Sequence, residues 1–215
     1  MILQRVPHAA GRRHSLAAVD DGRVLAAGPP SSDECAVTGW SDVVAVAAGD
    51  VHTARNTSRS HSVGPRADGT VLAAGWNARG QCEVTDWTQT IGIAAGWRRT
   101  LGARDDGTAP AAGRRNDGAC DVEGWSEIIA ISAGDWRSVG LGADRTVAAA
   151  GLNQRRQGDA AGWSDVVRDQ AIAPPSGVHA ARVRPVTWKV HLVPCAVFPA
   201  SRQLSAIPGA APHAR

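Results

Sequence analysis

The chain has 215 residues, enough for one domain with a substantial core, and its 23 basic and 20 acidic residues give a formal net charge of +3. No stretch approaches the roughly 18 apolar residues of a membrane span, and residues 1–15 contain no continuous apolar segment typical of a secretory signal. The four Cys do not suggest a disulfide framework, because three recur at one repeat position. We therefore expect a cytoplasmic protein with reduced thiols.

One phrase recurs along the chain and sets its organisation. The Trp residues that mark it are spaced by 47, 38 and 38 residues: Trp40, Trp87, Trp125 and Trp163. The unit is therefore 38 residues long, and one copy carries a nine-residue insertion near 52–60. Within it, His52-Thr53 and His61-Ser62 look like duplicates of one short segment.

Each unit shows the same signals in the same order. An "AAG" or "SAG" triplet is followed by a hairpin signal, Asp-Gly, at 21–22, 68–69 and 106–107. A short apolar run, a polar loop and a β-branched run such as "VVAVAA" follow. The polar loop ends on a Cys five residues before the repeat Trp: Cys35, Cys82 or Cys120. The pattern predicts three antiparallel strands per unit and a weak fourth near the Cys. Such small sheets must stack, as a propeller or a solenoid.

These motifs resemble the regulator-of-chromosome-condensation repeat family, in its short bacterial form. The matching phrases are "AAG-x-x-H-[ST]" at Gly11 to Ser15 and Gly49 to Thr53, the "DG-x-V-x-A-x-G" hairpin, "GQC" at Gly80 to Cys82, and "GW-[ST]-[DE]-[IV]-[IV]". The resemblance covers residues 9–167. It implies a β-propeller, typically of seven blades, that serves as a protein-interaction platform. The exchange-factor activity of the eukaryotic namesake belongs to loops that this chain does not visibly contain.

The chain also resembles propeller-type β-lactamase inhibitors with the same short repeat, and this second resemblance implies a partner-binding site. In those proteins, side chains on the loops after the "AG" pair face the bound enzyme. The matching residues here are Arg12, Arg13, Asp50, Val51, Trp97, Arg98, Asp135 and Trp136. The four repeat Trp are interpreted as packing residues, whereas Trp76, Trp97 and Trp136 do not recur in register, and Trp97 and Trp136 lie in the entry loops. A large aromatic residue on a variable loop is typical of an interface anchor, with a half-buried loop Trp as the alternative.

Several positions depart from the repeat pattern. His14 and His52 occupy the family's His position, and Arg99 and Arg137 replace it later in the chain. Pro110 falls inside a predicted strand, where it cannot donate to the ladder. Asp144-Arg145 replaces Asp-Gly, and Gly158 replaces the expected Cys. The fourth unit loses its valine strand after Val167.

The sequence therefore predicts an all-β fold, an incomplete β-propeller of about four 38-residue repeat blades followed by an irregular C-terminal tail over 168–215. The tail is interpreted as either a flexible segment or an out-of-frame translation. An incomplete array also predicts self-association through the open fourth repeat.

No residue pattern indicates catalysis. His52 and Cys82 could suggest a base and a nucleophile, but both hold repeat positions, which indicates packing. The absence of a Cys-x-x-Cys pair and of paired His gives no support to a metal site, and no cofactor motif is found. We expect a non-enzymatic protein–protein interaction module with an unknown protein partner. The alternative is a nucleic-acid-associated or carbohydrate-binding propeller that uses an Arg-rich rim, formed by Arg pairs at 12–13, 98–99, 114–115 and 155–156.

Overall fold

The computed structural model describes residues 7–29, 32–50 and 59–166. Within them lie twelve strands in four antiparallel three-stranded sheets, together with 3-10 turns at Asp33–Cys35 and Asp159–Gly162 and no α-helix. The predicted all-β class is confirmed. Val51, His52 and the predicted tail lie outside the described residues.

The sheets, named A to D, follow one another in chain order. Sheet A consists of β1 (His8–Ala10), β2 (Ser15–Ala18) and β3 (Val24–Ala27), and sheet B of β4 (Ala47–Gly49), β5 (His61–Pro65) and β6 (Val71–Gly75). Sheet C consists of β7 (Thr90–Gly96), β8 (Arg99–Arg104) and β9 (Ala111–Gly113), and sheet D of β10 (Ile128–Ala133), β11 (Arg137–Gly142) and β12 (Val147–Gly151). The middle strand of each sheet pairs with both neighbours.

The Asp-Gly hairpins join the second and third strands, as the sequence predicts. Gly22 has a φ of 81°, and a Cβ added to it would lie 2.7 Å from the backbone nitrogen of Asp42. Glycine is therefore required both for the turn and for the close approach of the following segment. In sheet D, Arg145 holds this position with a φ of 71°. Its guanidinium donates to the Asp165 carbonyl at 2.8 Å.

Hydrophobic clusters fill the spaces between successive sheets. Leu16 of β2, Val63 of β5 and Leu101 of β8 hold the same register position and are fully or almost fully buried. Each belongs to a cluster that includes apolar residues of the next sheet, such as Leu72 of β6 in the case of Leu16. The sheets therefore bury their faces against one another, because none could do so alone.

The repeat Trp residues pack onto glycines of the next sheet. Trp87 is buried, and a Cβ on Gly102 of β8 would lie only 2.8 Å from its ring. Trp40 meets Gly64 of β5 and Trp125 meets Gly140 of β11 in the same way. The fourth copy differs, since Trp163 is 62% exposed. The packing interpretation therefore fits three of the four Trp residues, and no described sheet follows sheet D to receive the fourth.

Polar side chains at the start of each middle strand bridge adjacent sheets. Ser62 donates to the Glu34 carbonyl at 2.6 Å, and its hydroxyl lies 3.1 Å from His14 Nε2. A hydroxyl has one proton to donate, so His14 Nε2–H is the donor of the second bond. His61 Nε2 lies 3.1 Å from Thr100 Oγ1 in the same arrangement.

The nine-residue difference between units falls before this bridging position. Gly49 pairs with His61 across β4 and β5, so His61 is the equivalent of His14. Arg99 takes this role in sheet C and donates to the carbonyls of Gly134 at 2.7 Å and Arg137 at 3.2 Å. The Arg replacements at the His position therefore include one that keeps the bridge between sheets.

Two local expectations have different outcomes. The segments that contain Cys35, Cys82 and Cys120 form turns, so the predicted weak fourth strand is wrong for the described residues. Cys120 Sγ donates to the Arg114 carbonyl at 3.0 Å. Pro110 lies just outside β9, which has three residues where β6 and β12 have five. Its carbonyl still accepts from Gly102 at 2.9 Å, because proline lacks only the donor.

Candidate functional site

The candidate site lies at the edge of the sheets opposite the Asp-Gly hairpins. In a three-stranded antiparallel sheet, the loop between the first two strands and the segment after the third emerge at the same edge. A backbone hydrogen bond of 2.9–3.0 Å ties these two segments together in three sheets: Trp76 to Ser60, Arg114 to Arg98 and Leu152 to Trp136, each N–H donating to the second residue's carbonyl. Two side chains per sheet therefore stand together at this edge.

The side chains at this edge stack into an Arg–Trp ladder that spans sheets B, C and D. Its members, in spatial order, are Arg59, Trp76, Arg98, Trp97, Arg114 and Trp136. The guanidinium carbons of Arg59 and Arg98 each lie 5.4 Å from the Trp76 ring centroid. Arg98 also lies 4.4 Å from the Trp97 centroid. Such distances are those of cation–π contacts.

The far end of the ladder joins sheets C and D. The guanidinium of Arg114 lies 4.5 Å from the Trp97 centroid and 5.3 Å from that of Trp136. The two Trp rings are 4.2 Å apart, with a tilt of 50° between their planes. A tilted aromatic pair of this kind is favourable beyond the area it buries. The ladder therefore presents a rigid surface, because each ring is held by a neighbouring cation or ring.

The members of the ladder differ in accessibility. Trp97 is 4% exposed and Arg98 is 8% exposed, whereas Trp136 is 40% exposed. Arg98 also has a φ of 59°, a left-handed conformation that is unusual for a residue with a side chain. Of the two Trp residues expected to contact a partner, only Trp136 offers a large exposed surface. Trp97 instead supports the ladder from within.

Positive charge concentrates at Arg98. Burial lowers the pKa of this guanidinium, and the nearby charges of Arg79, Arg114 and Arg59 lower it further. Arg114 has a carboxylate partner, since its Nε lies 3.5 Å from Asp117. Among the described residues, no carboxylate forms an ion pair with Arg98. A desolvated cation beside three others is costly unless an anion compensates it.

The adjacent Arg99 belongs to the fold. It is fully buried, bridges to sheet D, and lies 3.7 Å from the carboxylate of Asp117. Two successive residues, one in the turn before β8 and one at the first position of β8, therefore have different roles. Arg98 belongs to the rim, and Arg99 holds two sheets together.

The other predicted site residues lie on the first loops of their sheets. Arg12 and Arg13 are exposed between β1 and β2, and Asp135 is exposed between β10 and β11. Asp50 follows β4 and is half-buried, and its charge opposes the effect of burial on the pKa of His14. The ladder does not include these four residues. Val51 lies outside the described residues.

The ladder members Arg59, Trp76 and Arg114 and the nearby Arg79 were not among the predicted partner-binding residues. A signal for Arg59 was present. It lies two residues before the bridging residue His61, as Trp97 lies two residues before Arg99. The predicted site in this unit uses the residues that follow Gly49. Taking instead the residue two positions before the bridging His61 selects Arg59.

The thiols have the character of packing groups. Burial raises the pKa of Cys82 to about 11, and likewise that of Cys120 to about 11. The thiolate needed for nucleophilic attack is therefore disfavoured at both positions. Among the described residues, no group of three His, Cys, Asp or Glu side chains could hold a metal ion. No helix in this part of the chain is long and apolar enough to cross a membrane.

Comparison with known proteins identifies the fold. No protein-family model and no curated protein matches the chain. The solved structure of Prp20p from Saccharomyces cerevisiae matches with a TM-score of 0.53 and 17% identity over 70% of this chain and 46% of that one. Human WBSCR16 matches with a TM-score of 0.54 and 19% identity over 67% and 46%. The CRINKLY WD40 ectodomain of the Arabidopsis thaliana receptor kinase ACR4 matches with a TM-score of 0.52 and 18% identity. The match covers 70% of this chain and 51% of that one.

These likenesses confirm the expected fold, that of the yeast regulator of chromosome condensation, RCC1 (Prp20), and other propellers. The chain spans about half the length of the structures it matches. At under 20% identity, the comparison establishes the fold and leaves the activity to be argued from the site.

Proposed function

We propose that this chain is a non-enzymatic protein–protein interaction module that binds its partner through the Arg–Trp ladder. The observation that supports it is the stack of rigid Trp rings and guanidiniums at one edge of three sheets, ending in the exposed Trp136. Tryptophan and arginine are the residues most enriched at the energetic centres of interfaces. Two structural neighbours have protein partners: Prp20p has binding properties to Gsp1p and histones, and Kap60 is bound to yeast RCC1.

The proposed setting is the cytoplasm. The thiols of Cys35, Cys82 and Cys120 are free, and the buried Cys120 donates to a backbone carbonyl. Reduced thiols used for packing suit a reducing compartment.

An affinity capture followed by direct measurement tests the interaction. The full chain is immobilised, a partner is captured from a lysate, and the purified partner is titrated by calorimetry against parent and variants. Trp136→Ala should weaken binding by about 30-fold, as expected for a central tryptophan. Arg23→Ala is the control, because it removes an exposed side chain at the hairpin edge, away from the ladder and from Trp163. Equal affinities for the parent and Trp136→Ala would refute the proposed binding surface.

We also propose that the open face of sheet D binds sheet A of a second copy. Val139 is half-exposed on this face, although its equivalents Leu101 and Val63 are fully buried. Val139 and the exposed Trp163 lie on the same surface depression. Sheet A presents the surface that would complete this contact. Ala17 holds the register position at which glycines of the other sheets contact a repeat Trp. Leu25 pairs with Ala17 across the strands and is 55% exposed.

A complementation experiment tests this head-to-tail contact. Trp163→Asp should block the face of sheet D, and Leu25→Asp should block that of sheet A. Each variant alone should sediment as a smaller species than the parent, while an equimolar mixture should regain one intact interface and form a heterodimer. Single variants that associate as the parent does would contradict the proposal.

A further inference from the structure

We propose that the Arg–Trp ladder is a receptor for carboxylates, so that the partner segment it binds is rich in Asp or Glu. This inference rests on the proposed function and specifies the chemistry of the partner at the same site. It follows from the local charge, from donors that lack acceptors, and from the way the aromatic faces are covered.

The charge around the ladder is strongly positive in a chain whose net charge is small. Arg59, Arg79, Arg98 and Arg114 converge, and Asp117 compensates only Arg114 among them. Arg98 is 8% exposed, so it has lost most of its hydration without gaining a carboxylate partner among the described residues. Arginine's planar fork of donors matches a carboxylate in a bidentate geometry. An incoming carboxylate would therefore relieve the repulsion at Arg98.

Two buried donors in the ladder lack an acceptor. The Nε1–H of Trp97 and the Nε–H of Arg98 are both buried without a hydrogen-bond partner. Buried donors are nearly always satisfied in folded proteins, and those that are not call for an explanation. A site that is short of acceptors is complementary to a ligand that only accepts, which is the property of an ionised Asp or Glu.

The arrangement of the rings favours carboxylates over a nucleic acid. Single-stranded nucleic acids gain affinity by stacking bases on open aromatic faces. Two guanidiniums contact Trp76 and two contact Trp97, and within the ladder Trp136 is the ring with the largest exposure, at 40%. The cleft beside the ladder is lined by Arg79 and Arg114 but also by Glu83. Because Glu83 interrupts the positive lining, the basic surface is short, which suits a few carboxylates better than an extended phosphate backbone.

Fluorescence anisotropy with labelled probes tests the inference on the full chain. The probes are an oligoglutamate peptide, an oligoglutamine peptide of equal length and a single-stranded DNA oligonucleotide. Oligoglutamate should bind, with an affinity that falls as salt rises, and oligoglutamine should not. Arg98→Gln and the exposed Arg79→Gln should each weaken oligoglutamate binding about tenfold, the usual loss for a charge-assisted hydrogen bond.

Arg23→Gln is the matched control. It removes one exposed positive charge, but from the hairpin at the opposite edge of sheet A, where Arg23 pairs with Asp21 at 2.7 Å. It should leave the affinity unchanged. Thermal melts of Arg79→Gln should match the parent, because this side chain is exposed. Any loss of binding in that variant is then a property of the site.

Three results would overturn the inference. Binding of the oligonucleotide without binding of oligoglutamate would assign the ladder to phosphates. Failure of all probes, or equal affinity of the parent, Arg98→Gln and Arg79→Gln, would remove the carboxylate receptor. If Trp136→Ala still weakened binding of the captured partner about 30-fold in that case, the interaction module would stand and only its acidic chemistry would be wrong.

Discussion

Acidification should weaken the contact between sheets B and C through His61. The imidazole is fully buried, and burial lowers its pKa from 6.5 to about 4; a hydrogen bond to the Arg99 backbone opposes this shift, and the charge of His14 adds to it. The reason lies in the bridge: Nε2–H donates to Thr100, so protonation would add a second N–H at Nδ1, which has no hydrogen-bond partner. The neutral ring is therefore the only form that the folded state accommodates without cost.

The sign and size of the effect follow from this shift. Below pH 6.5 the unfolded chain binds a proton at His61 that the folded chain does not bind until about pH 4. Stability from this group is complete above pH 6.5 and is lost as the pH falls to about 4. The pKa difference of roughly 2.5 units corresponds to a loss on the order of 3 kcal/mol. The pKa of His14 is also lowered by burial, so it adds a loss of the same sign.

Urea unfolding of the parent and of His61→Gln at a series of pH values measures this term. Glutamine can donate to Thr100 but does not titrate. Subtracting the variant's free energy of unfolding from that of the parent at each pH therefore cancels the contribution of the carboxylates that both proteins share. The free-energy difference between parent and variant should shrink by about 3 kcal/mol between pH 7 and pH 4. A difference that stays constant over this range would show that His61 titrates normally in the folded state.

Three further predictions concern packing. Trp87→Ala should cost about 3–5 kcal/mol of unfolding free energy, whereas Trp163→Ala at the same repeat position should change it by less than about 1 kcal/mol, as measured by urea denaturation. Gly102→Ala should destabilise the folded state by about 1–3 kcal/mol in thermal melts, because the added Cβ would lie 2.8 Å from the Trp87 ring. Gly124→Ala is the control and should be close to neutral, because no atom lies within 4 Å of its added Cβ. Native Cys82 should react with iodoacetamide at pH 8 about 100-fold more slowly than in urea, since its pKa of about 11 lies two units above the ordinary value, and equal rates would contradict the burial of its thiol.

The sequence predicts the repeated half of this structure well. The Asp-Gly turns, the β-branched strands and the Trp positions recur at a fixed spacing, so each copy supports the others. The sequence cannot show that Trp163 would be exposed, because burial depends on a following sheet rather than on the residue itself. It also misassigns the His position in the second unit, since His52 and His61 carry the same local signal and only strand pairing with Gly49 distinguishes them.

The rim is harder to predict for a physical reason. Its members come from two segments of each sheet that are distant in sequence, and the ladder forms only when neighbouring sheets stack. Arg59 and Trp76 meet at 5.4 Å although seventeen positions separate them, and Trp76 does not repeat in the other units. Periodicity therefore finds the residues that build the fold and passes over those that vary at its edge.

Arg98 and Arg99 show how closely the two roles can adjoin. Only register separates them, because Arg99 holds the bridging position of His14 and His61, while Arg98 precedes it. The bridging residue must reach the next sheet and so is restricted to side chains that can donate across the interface. The preceding residue does not have to make this hydrogen bond. In successive sheets it is Arg13, Ser60, Arg98 and Trp136. Arg13 and Trp136 are exposed at that position and Ser60 is buried, so variation at the exposed copies can change what the rim binds without disturbing the stack of sheets.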